Sequence, residues 1–284
     1  MAYEQYRPSG FRLLPPVVKN LLIINGLFFL ATYGIGQAFH IDLTDVLGLH
    51  YFGAEKFRFY QIITYMFMHA NFTHILFNMF ALWMFGYVLE NVWGPKRFII
   101  YFLVTGIGAA IIQYVVIYFE LRPAMEAINL YMSHPSHEQL SALLNSGKID
   151  GSYEPLKHFI AQYNSVVNTD MPKALSLANN FVAQYQVDLL NAPVVIGASG
   201  AVFGILLAFG MMFPNSLIYL YFAIPVKAKW VVLGYGLLEL GSGIAGSEGD
   251  NVAHFAHLGG MLFGFVLIKI WQQKAKRNNF YGQQ

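Results

Sequence analysis

Four polar residues in otherwise apolar surroundings have the types and spacing that chemistry requires. Ser199 lies in the glycine-rich segment GASGAVFG, and His257 lies in AHFAHLGG. A serine hydroxyl becomes a nucleophile when an imidazole takes its proton, so these two residues could form a nucleophile–base pair. His74, Asn78 and the backbone N–H of Ser199 could donate hydrogen bonds to the oxyanion that forms when the hydroxyl attacks a carbonyl. Together these groups predict acyl-transfer chemistry.

Long apolar runs surround these residues and predict membrane-spanning helices. The chain is 56% hydrophobic and only 11% charged, whereas a soluble domain of this size is about a quarter charged. A spanning helix needs about 20 mostly apolar residues. Six runs qualify, at roughly 17–38, 70–90, 97–119, 193–213, 228–247 and 252–271. The sequence therefore predicts an all-α polytopic membrane protein, a bundle of six transmembrane helices in a lipid bilayer.

The composition also excludes several classes of function. The chain has no cysteine, so disulfide bonds and thiolate chemistry are excluded. A net charge of +2 gives no reason to expect nucleic acid as a partner. The zinc-protease pattern HExxH does not occur, and we expect neither a cofactor nor a bound metal. The sequence carries no indication of the oligomeric state.

Lysine and arginine residues indicate the orientation of the helices. With six spans, the basic residues that flank them fall on one side of the membrane: Arg7, Arg12, Lys19, Lys96, Arg97, Lys227, Lys229, Lys274, Lys276 and Arg277. The loop between the fifth and sixth spans carries Glu248 and Asp250 and no basic residue. The positive-inside rule then predicts that both termini are cytoplasmic. Without an Arg-rich, Ser-rich presequence, we expect a bacterial plasma membrane.

Four segments follow from this pattern. Residues 1–119 hold the first three spans, residues 192–272 hold the last three, and residues 273–284 form a cytoplasmic tail. Residues 120–191, called the insert below, are much richer in charge and lie outside the cytoplasm in this topology. Ser136 resembles the first residue of a capping box, so the insert is expected to be helical.

The same topology predicts that the candidate residues meet at one depth. The fourth span reaches Ser199, and the sixth reaches His257, about seven residues from the outer boundary, which is roughly 10 Å along a helix. His74 and Asn78 are four residues apart on the second span and share one helix face. We therefore expect all four in the outer leaflet, beside a hydrated cavity that opens outward.

Small residues supply a means of close approach between these helices. Gly197 and Gly200 flank Ser199, and Gly260 and Gly264 form a GxxxG pattern after His257. Small residues let helix backbones pack closely in lipid. This packing would bring the imidazole within hydrogen-bonding distance of the serine hydroxyl.

Two further polar residues lie near the predicted pair. Glu239 is expected in the inner-to-middle part of the fifth span, hydrogen-bonded to a neighbouring helix and too deep to orient His257. The predicted catalytic unit is therefore a Ser-His dyad without a carboxylate. His254 lies three residues before His257 and is a possible accessory residue, at a shallower depth that suits a lid or a contact with water.

At these residues the sequence resembles the rhomboid family of intramembrane serine proteases. The matching segments are HANFTHILFNMFALWMFG, GASGAVFG and AHFAHLGGMLFG. The resemblance implies that Ser199 is the nucleophile, that His257 rather than His254 is the base, and that His74 and Asn78 stabilise the oxyanion. It also implies a rhomboid-like six-helix bundle that cleaves single-pass transmembrane proteins near the outer end of their helices.

The resemblance has two departures. Many rhomboids carry a Trp-Arg pair before the second span, where this chain has Tyr60 and Gln61. This difference puts the anchoring contacts of the preceding loop in question. The insert is also larger than the short loop of the minimal fold, so it could restrict or recruit substrates.

Three other functions remain open at this point. A catalytically inactive relative could bind membrane helices without cutting them. Taken singly, Ser199 could be a packing residue, and His74 with Asn78 could simply join helices. A metal transporter could use four histidines, His69, His74, His254 and His257. A channel or small-molecule carrier is the third alternative, although the chain shows no repeated half.

Overall fold

The computed structural model describes residues 11–220, 223–246 and 252–281, with side chains as far as Arg277. Its helices are α1 Pro16–Phe39, α2 Leu43–Leu47, α3 Gln61–Thr64, α4 Phe72–Trp93, α5 Pro95–Ser133, α6 His137–Asn145, α7 Glu154–Val166, α8 Met171–Asn191, α9 Ser199–Met212, α10 Ala228–Ala245 and α11 His254–Tyr281. Its strands are β1 Leu49–His50, β2 Val194–Val195, β3 Leu217–Leu220 and β4 Ile224–Lys227. Three residues used above for orientation, Arg7, Glu248 and Asp250, lie outside the described residues.

Helices dominate the structure, and the predicted all-α polytopic fold is confirmed. Within the described ranges, four helices are long and apolar enough to cross a membrane, namely α1, α4, α5 and α11. They correspond to the first, second, third and sixth predicted spans. The fifth corresponds to α10 and the fourth to α9, a shorter apolar helix of 14 residues. The chain is therefore a multi-pass integral membrane protein.

The predicted start of the fourth span is wrong. Residues 193–198 are not helical, and α9 begins only at Ser199. Gly197 has a φ of +118°, a conformation that favours glycine. Its N–H donates to the carbonyl of Tyr65 at 2.9 Å, which holds the chain in this non-helical path. The depth of Ser199 therefore cannot be counted in helical steps from residue 192.

The third span continues beyond the predicted end at residue 119. Helix α5 extends to Ser133 with Pro123 inside it. A proline removes one backbone hydrogen bond and usually ends or kinks a helix. Here Ile128 and Tyr131, which follow it, are almost completely buried in a hydrophobic core that also contains residues of α6, α7 and α8. Tertiary packing thus maintains the helix where local sequence disfavours it.

The first compact unit comprises Met1–Leu49, Arg58–Gln113 and Val195–Gln284. Within it α9 contacts α4, α10 and α11. Glu90, at the end of α4, is 2% exposed and accepts hydrogen bonds from the backbone N–H groups of Val17 and Val18 at 2.9 and 2.8 Å. Helix N-termini leave such N–H groups without partners and favour negative charge. The carboxylate therefore joins the start of α1 to α4.

A short hairpin, which the sequence analysis did not predict, joins α9 to α10. Strands β3 and β4 pair antiparallel, with Ile218 opposite Val226 and Tyr219 opposite Pro225. Proline cannot donate to a sheet, so it is tolerated here because the hairpin has only two strands and both are edges. The hairpin leads the chain directly into α10.

The second compact unit comprises His50–Phe57 and Tyr114–Val194. Its core is aromatic, with the rings of Phe159 and Phe181 stacked 4.1 Å apart. Tyr131 donates to the side chain of Asn179 at 2.7 Å. The predicted helices of this region are present, and Ser136 Oγ accepts from the N–H of Gln139 at 3.1 Å, as its predicted capping role requires.

Candidate active site

Ser199 occupies the first turn of α9, at the end of the non-helical segment that Gly197 shapes. The first N–H groups of a helix have no partner inside it, and the helix dipole places partial positive charge at this end. Negative charge that develops beside Ser199 is therefore favoured by backbone groups as well as by side chains. The sequence predicts the N–H of Ser199 as a donor but not its place at a helix N-terminus.

Ser199 and His257 are brought together as the motifs predicted. The Oγ of Ser199 lies 2.8 Å from Nε2 of His257, a hydrogen-bond distance. His257 is only 8% exposed, and its imidazole stacks on the ring of Phe203, with centroids 4.3 Å apart and planes 6° from parallel. Phe203 lies one helical turn after Ser199 on α9, so the helix that carries the hydroxyl also fixes the plane of the imidazole.

A carboxylate faces the other ring nitrogen, so the expectation that no acid reaches His257 is wrong. Oε2 of Glu239 lies 2.8 Å from Nδ1 of His257. An ionised carboxylate can only accept, so the proton of a neutral imidazole is placed on Nδ1 and Nε2 is left as the acceptor for the hydroxyl of Ser199. The three side chains thus form a continuous Ser-His-Glu chain rather than a dyad.

His254 contacts the same carboxylate. Its Nδ1 lies 2.6 Å from Oε2 of Glu239, and its ring is roughly perpendicular to that of His257, with centroids 6.3 Å apart. Both histidines lie in the first turn of α11 and face α10 together. The predicted contact of Glu239 with a neighbouring helix is therefore confirmed, and His254 is placed against the acid rather than the hydroxyl.

His74 faces Ser199 from α4. A Cβ at Gly197 would lie 2.8 Å from Nε2 of His74 and 3.6 Å from Oγ of Ser199, so the glycine leaves one small space that both groups border. Nδ1 of His74 accepts from the N–H of Ala70 at 3.5 Å. A neutral imidazole that accepts at Nδ1 carries its hydrogen on Nε2, which is the atom next to Gly197.

Asn78 holds His74 from one helical turn below. Its side-chain nitrogen donates to the backbone carbonyl of His74 at 2.9 Å, and the residue is 6% exposed. An amide nitrogen carries two hydrogens, so this bond uses one of them. The structure thus places Asn78 beside the site, hydrogen-bonded to the backbone of His74.

His69 supports His74 from the segment before α4. It is 2% exposed, and its ring lies 5.0 Å from that of His74. Burial, and then the proximity of His74, lower the pKa of His69 to about 4, so this imidazole is neutral at physiological pH. In the described part of the chain, the residues positioned to share a metal ion are Glu239, His254 and His257. His69 and His74 are not in this group, so the described residues do not form the four-histidine site of the metal-transporter alternative.

Comparison with known proteins identifies the family to which this architecture belongs. The family model described as Rhomboid domain matches residues 56–120 and 173–274, which together make up more than half of the chain. The chain belongs to the rhomboid family. This family includes intramembrane serine proteases and also members without activity.

Two curated relatives are similar to parts of this rhomboid. Rhomboid-like protein 11, chloroplastic, of Arabidopsis thaliana is 30% identical over 99 residues, which cover 33% of this chain and 34% of the relative. Putative rhomboid protease YdcA of Bacillus subtilis (strain 168) is 29% identical over 102 residues, which cover 36% of this chain and 51% of the relative. The chain thus spans about half the length, or less, of the curated relatives it matches.

The rhomboid bundle brings its catalytic candidates together through glycine. A Cβ at Gly260 on α11 would overlap the backbone carbonyl of Gly200 on α9, and one at Gly264 would overlap the hydroxyl of Tyr101 on α5. The predicted close approach is confirmed at Gly260, whereas Gly264 packs against α5. The contact between Gly200 and Gly260 lies within one turn of both Ser199 and His257, so it sets their separation.

The loop before the second span is anchored although this rhomboid lacks the Trp-Arg pair. Gln61 is 1% exposed, its Nε2 donates to the carbonyl of Val46 at 3.2 Å, and its Oε1 accepts from the N–H of Arg58 at 2.9 Å. The hydroxyl of Tyr60 donates to the same carbonyl at 3.2 Å. Tyr60 and Gln61 therefore provide anchoring contacts of their own.

Proposed function

We propose that this rhomboid is a serine endopeptidase that cleaves single-pass transmembrane proteins within the membrane, near the outer end of their helices. The observation that carries this proposal is the 2.8 Å contact between Oγ of Ser199 and Nε2 of His257, backed by the carboxylate of Glu239. A nucleophile, a base and a group that orients the base are the parts that acyl transfer needs. The Bacillus subtilis relative is named a putative rhomboid protease, which agrees with this assignment.

The first half of the reaction forms an acyl-enzyme. Nε2 of His257 takes the hydroxyl proton as Oγ of Ser199 attacks the carbonyl carbon of the scissile peptide. Glu239 accepts from Nδ1–H and offsets the positive charge that develops on the ring. The oxyanion receives hydrogen bonds from the N–H of Ser199 and from Nε2–H of His74, and losing one such donor typically costs about 2.7–4 kcal/mol of barrier.

The acyl-enzyme is complete when His257 gives its proton to the leaving amine, which departs with the C-terminal part of the substrate. The second half of the reaction releases the other product. A water molecule loses a proton to His257 and attacks the acyl carbon, and His257 then returns that proton to Oγ, which frees Ser199 and the new carboxyl end of the substrate. In this proposal the outer face supplies that water, and the insert lies outside the cytoplasm, where it restricts or recruits substrates.

Labelling with a fluorophosphonate tests the nucleophile directly. The purified full chain in detergent is expected to form an adduct on Ser199, and Ser199→Ala should abolish it. A control serine variant in the second unit, Ser165→Ala, should label as the unchanged protein does. Equal labelling of His257→Ala would overturn the activation mechanism, and labelling that persists in Ser199→Ala would overturn the assignment of the nucleophile.

Cleavage of a transmembrane substrate distinguishes a protease from a helix-binding relative. The full chain is reconstituted in vesicles with a single-pass model substrate, and Ser199→Ala serves as the matched inactive protein. We expect cleavage near the outer end of the substrate helix only with the unchanged protein. Co-purification of an uncut substrate with both proteins would instead identify an inactive binding protein.

A further inference from the structure

A second property is built into the same cluster of side chains. Glu239, His254 and His257 each offer one metal-ligating atom, and these three atoms lie within 4.8 Å of one another. The two Nδ1 atoms both face Oε2 of Glu239, at 2.6 and 2.8 Å. The serine mechanism uses the bond to His257, but it gives His254 no task. Two imidazoles converge on one buried carboxylate where acyl transfer requires a single imidazole.

We propose that Glu239, His254 and His257 bind a divalent transition-metal ion of the zinc type. Two imidazole nitrogens and one carboxylate oxygen form a ligand set that zinc uses in proteins, with a fourth position left for water. Two ligand atoms about 2.1 Å from one tetrahedral zinc are about 3.4 Å apart. The present spacings of 2.6 and 2.8 Å between each histidine and Glu239 are hydrogen-bond distances, so a metal requires these two pairs to open by less than an ångström.

The positions of the three ligands in the fold favour a single metal ion that all three bind together. His254 and His257 are three residues apart in the first turn of α11, so their side chains lie on one face of the helix. Glu239 faces them from α10, and the side chains of all three are 10–14% exposed. Side chains this little exposed are largely shielded from bulk water, yet a small ion can still reach them.

Metal binding changes which nitrogen of His257 carries the proton. Without metal, Nδ1–H donates to Glu239, and Nε2 accepts from the hydroxyl of Ser199. A metal on Nδ1 of a neutral imidazole requires the proton to reside on Nε2. In both His257 and His254 the proton therefore moves from Nδ1 to Nε2, and no proton is released. Nε2 of His257 then donates to Oγ of Ser199 and cannot take its proton. The bound metal therefore acts as a reversible inhibitor, a consequence that rests on the proposed serine chemistry, whereas the binding site does not.

Metal binding can be measured independently of activity. The full chain, with any purification tag removed, is dialysed in detergent against Zn²⁺ and analysed for zinc per chain, in both the unchanged and the Ser199→Ala protein. His254→Asn is the diagnostic variant, because an amide can still donate to Glu239 but is a poor zinc ligand. His158→Ala, which removes an exposed histidine in α7, is the matched control.

We expect about one zinc per chain in the unchanged, Ser199→Ala and His158→Ala proteins. Because outer-shell changes alone weaken metal sites about 10–100-fold, loss of a ligand in His254→Asn should weaken retention at least that much. Equal zinc retention by His254→Asn and the unchanged protein would overturn the site. Size-exclusion elution of His254→Asn at the position of the unchanged protein verifies that the variant is folded.

Fluorophosphonate labelling of Ser199 at increasing Zn²⁺ concentrations measures the inhibition, and adding a chelator should restore the labelling. We expect labelling to fall with zinc occupancy in the unchanged protein, and the inhibitory zinc concentration to rise at least tenfold in His254→Asn. Labelling that is unaffected at full zinc occupancy would overturn the inhibition. If metal-free protein does not label at all while zinc retention depends on His254, the proposed protease function fails and the metal site stands.

Discussion

The carboxylate of Glu239 determines which nitrogen of His257 is available as a base. Replacing it by Glu239→Gln leaves a side chain of the same size whose amide can donate to Nδ1 as readily as accept from it. We expect the labelling rate of Ser199 to fall about 10–100-fold, less than the 10²–10⁴-fold that general base catalysis itself contributes. Fluorophosphonate labelling over time, with metal chelated throughout, measures this rate.

A conservative variant separates a positioning role from a purely structural one. Glu239→Asp keeps the acceptor and should restore part of the rate that Glu239→Gln loses. Glu126→Gln alters an exposed glutamate that pairs with Arg122, and it should not change labelling. If Ser199 is labelled at the same rate in Glu239→Gln and in the unchanged protein, the carboxylate of Glu239 serves only to hold α10 against α11.

Gly197 combines an unusual backbone conformation with a contact to the oxyanion side of the site. Its φ of +118° and the 2.8 Å approach of the His74 ring leave no room for a side chain. Gly197→Ala should cost about 1–3 kcal/mol in backbone strain and displace His74, so both the stability and the labelling rate should fall. Thermal unfolding in detergent measures the first effect and labelling measures the second.

Gly234→Ala is the matched control for Gly197→Ala, because a Cβ at Gly234 on α10 would meet nothing within 4 Å. We expect this variant to unfold and label as the unchanged protein does. A Gly197→Ala protein with undiminished labelling would show that the space beside His74 is not needed for the reaction.

Motifs predicted the pairing of Ser199 with His257, because type and spacing alone identified both residues and the helices that carry them. They did not predict the role of Glu239. Span limits predict only its depth, whereas its contact with His257 depends on how α10 is rotated and where α11 begins. That information lies in tertiary packing, and the one signal in the sequence was the presence of a glutamate within an apolar helix, which is costly unless it is paired.

At the scale of elements, the contact between α9 and α11 sets the distance between the hydroxyl and the imidazole. A Cβ at Gly260 would overlap the backbone carbonyl of Gly200, and a backbone atom cannot move aside as a flexible side chain can. Gly260→Ala should therefore push the helices apart at a cost of about 1–3 kcal/mol, as overpacking usually does. We expect a lower unfolding temperature and at least tenfold slower labelling of Ser199.

Gly236→Ala provides a control for this prediction on a neighbouring helix. A Cβ at Gly236 on α10 would lie 3.7 Å from the end of the Met261 side chain, which is ordinary contact. Its unfolding temperature and labelling should match the unchanged protein. If Ser199 is labelled normally in Gly260→Ala, the close contact between α9 and α11 is not needed to bring the hydroxyl of Ser199 to His257.

Apolar run length located the four helices of the described residues that are long and apolar enough to cross a membrane, but not every boundary. The non-helical path before α9 depends on the hydrogen bond from Gly197 to Tyr65, a residue far away in the sequence. The extension of α5 past Pro123 depends on burial of Ile128 and Tyr131 in the second unit. Local patterns carry neither kind of information, because both arise when distant segments pack together.

At the scale of the whole molecule, orientation in the membrane determines which side supplies water and substrate. The basic residues beside the spans predict cytoplasmic termini and an insert on the opposite side. The absence of cysteine from the chain allows a direct test with single introduced thiols and no background substitutions. Two exposed positions are suitable, Ser165 in α7 and Lys276 near the end of α11.

Intact cells that produce Ser165→Cys or Lys276→Cys are treated with a membrane-impermeant maleimide, and each sample is repeated after permeabilisation. We expect Ser165→Cys to react in intact cells and Lys276→Cys to react only after permeabilisation, because the lipid bilayer blocks the charged reagent. Each variant should retain fluorophosphonate labelling, which verifies that the thiol leaves the fold intact. The reverse pattern of maleimide labelling would place the entrance of the site on the cytoplasmic side, and cleavage near the outer end of substrate helices would then be wrong.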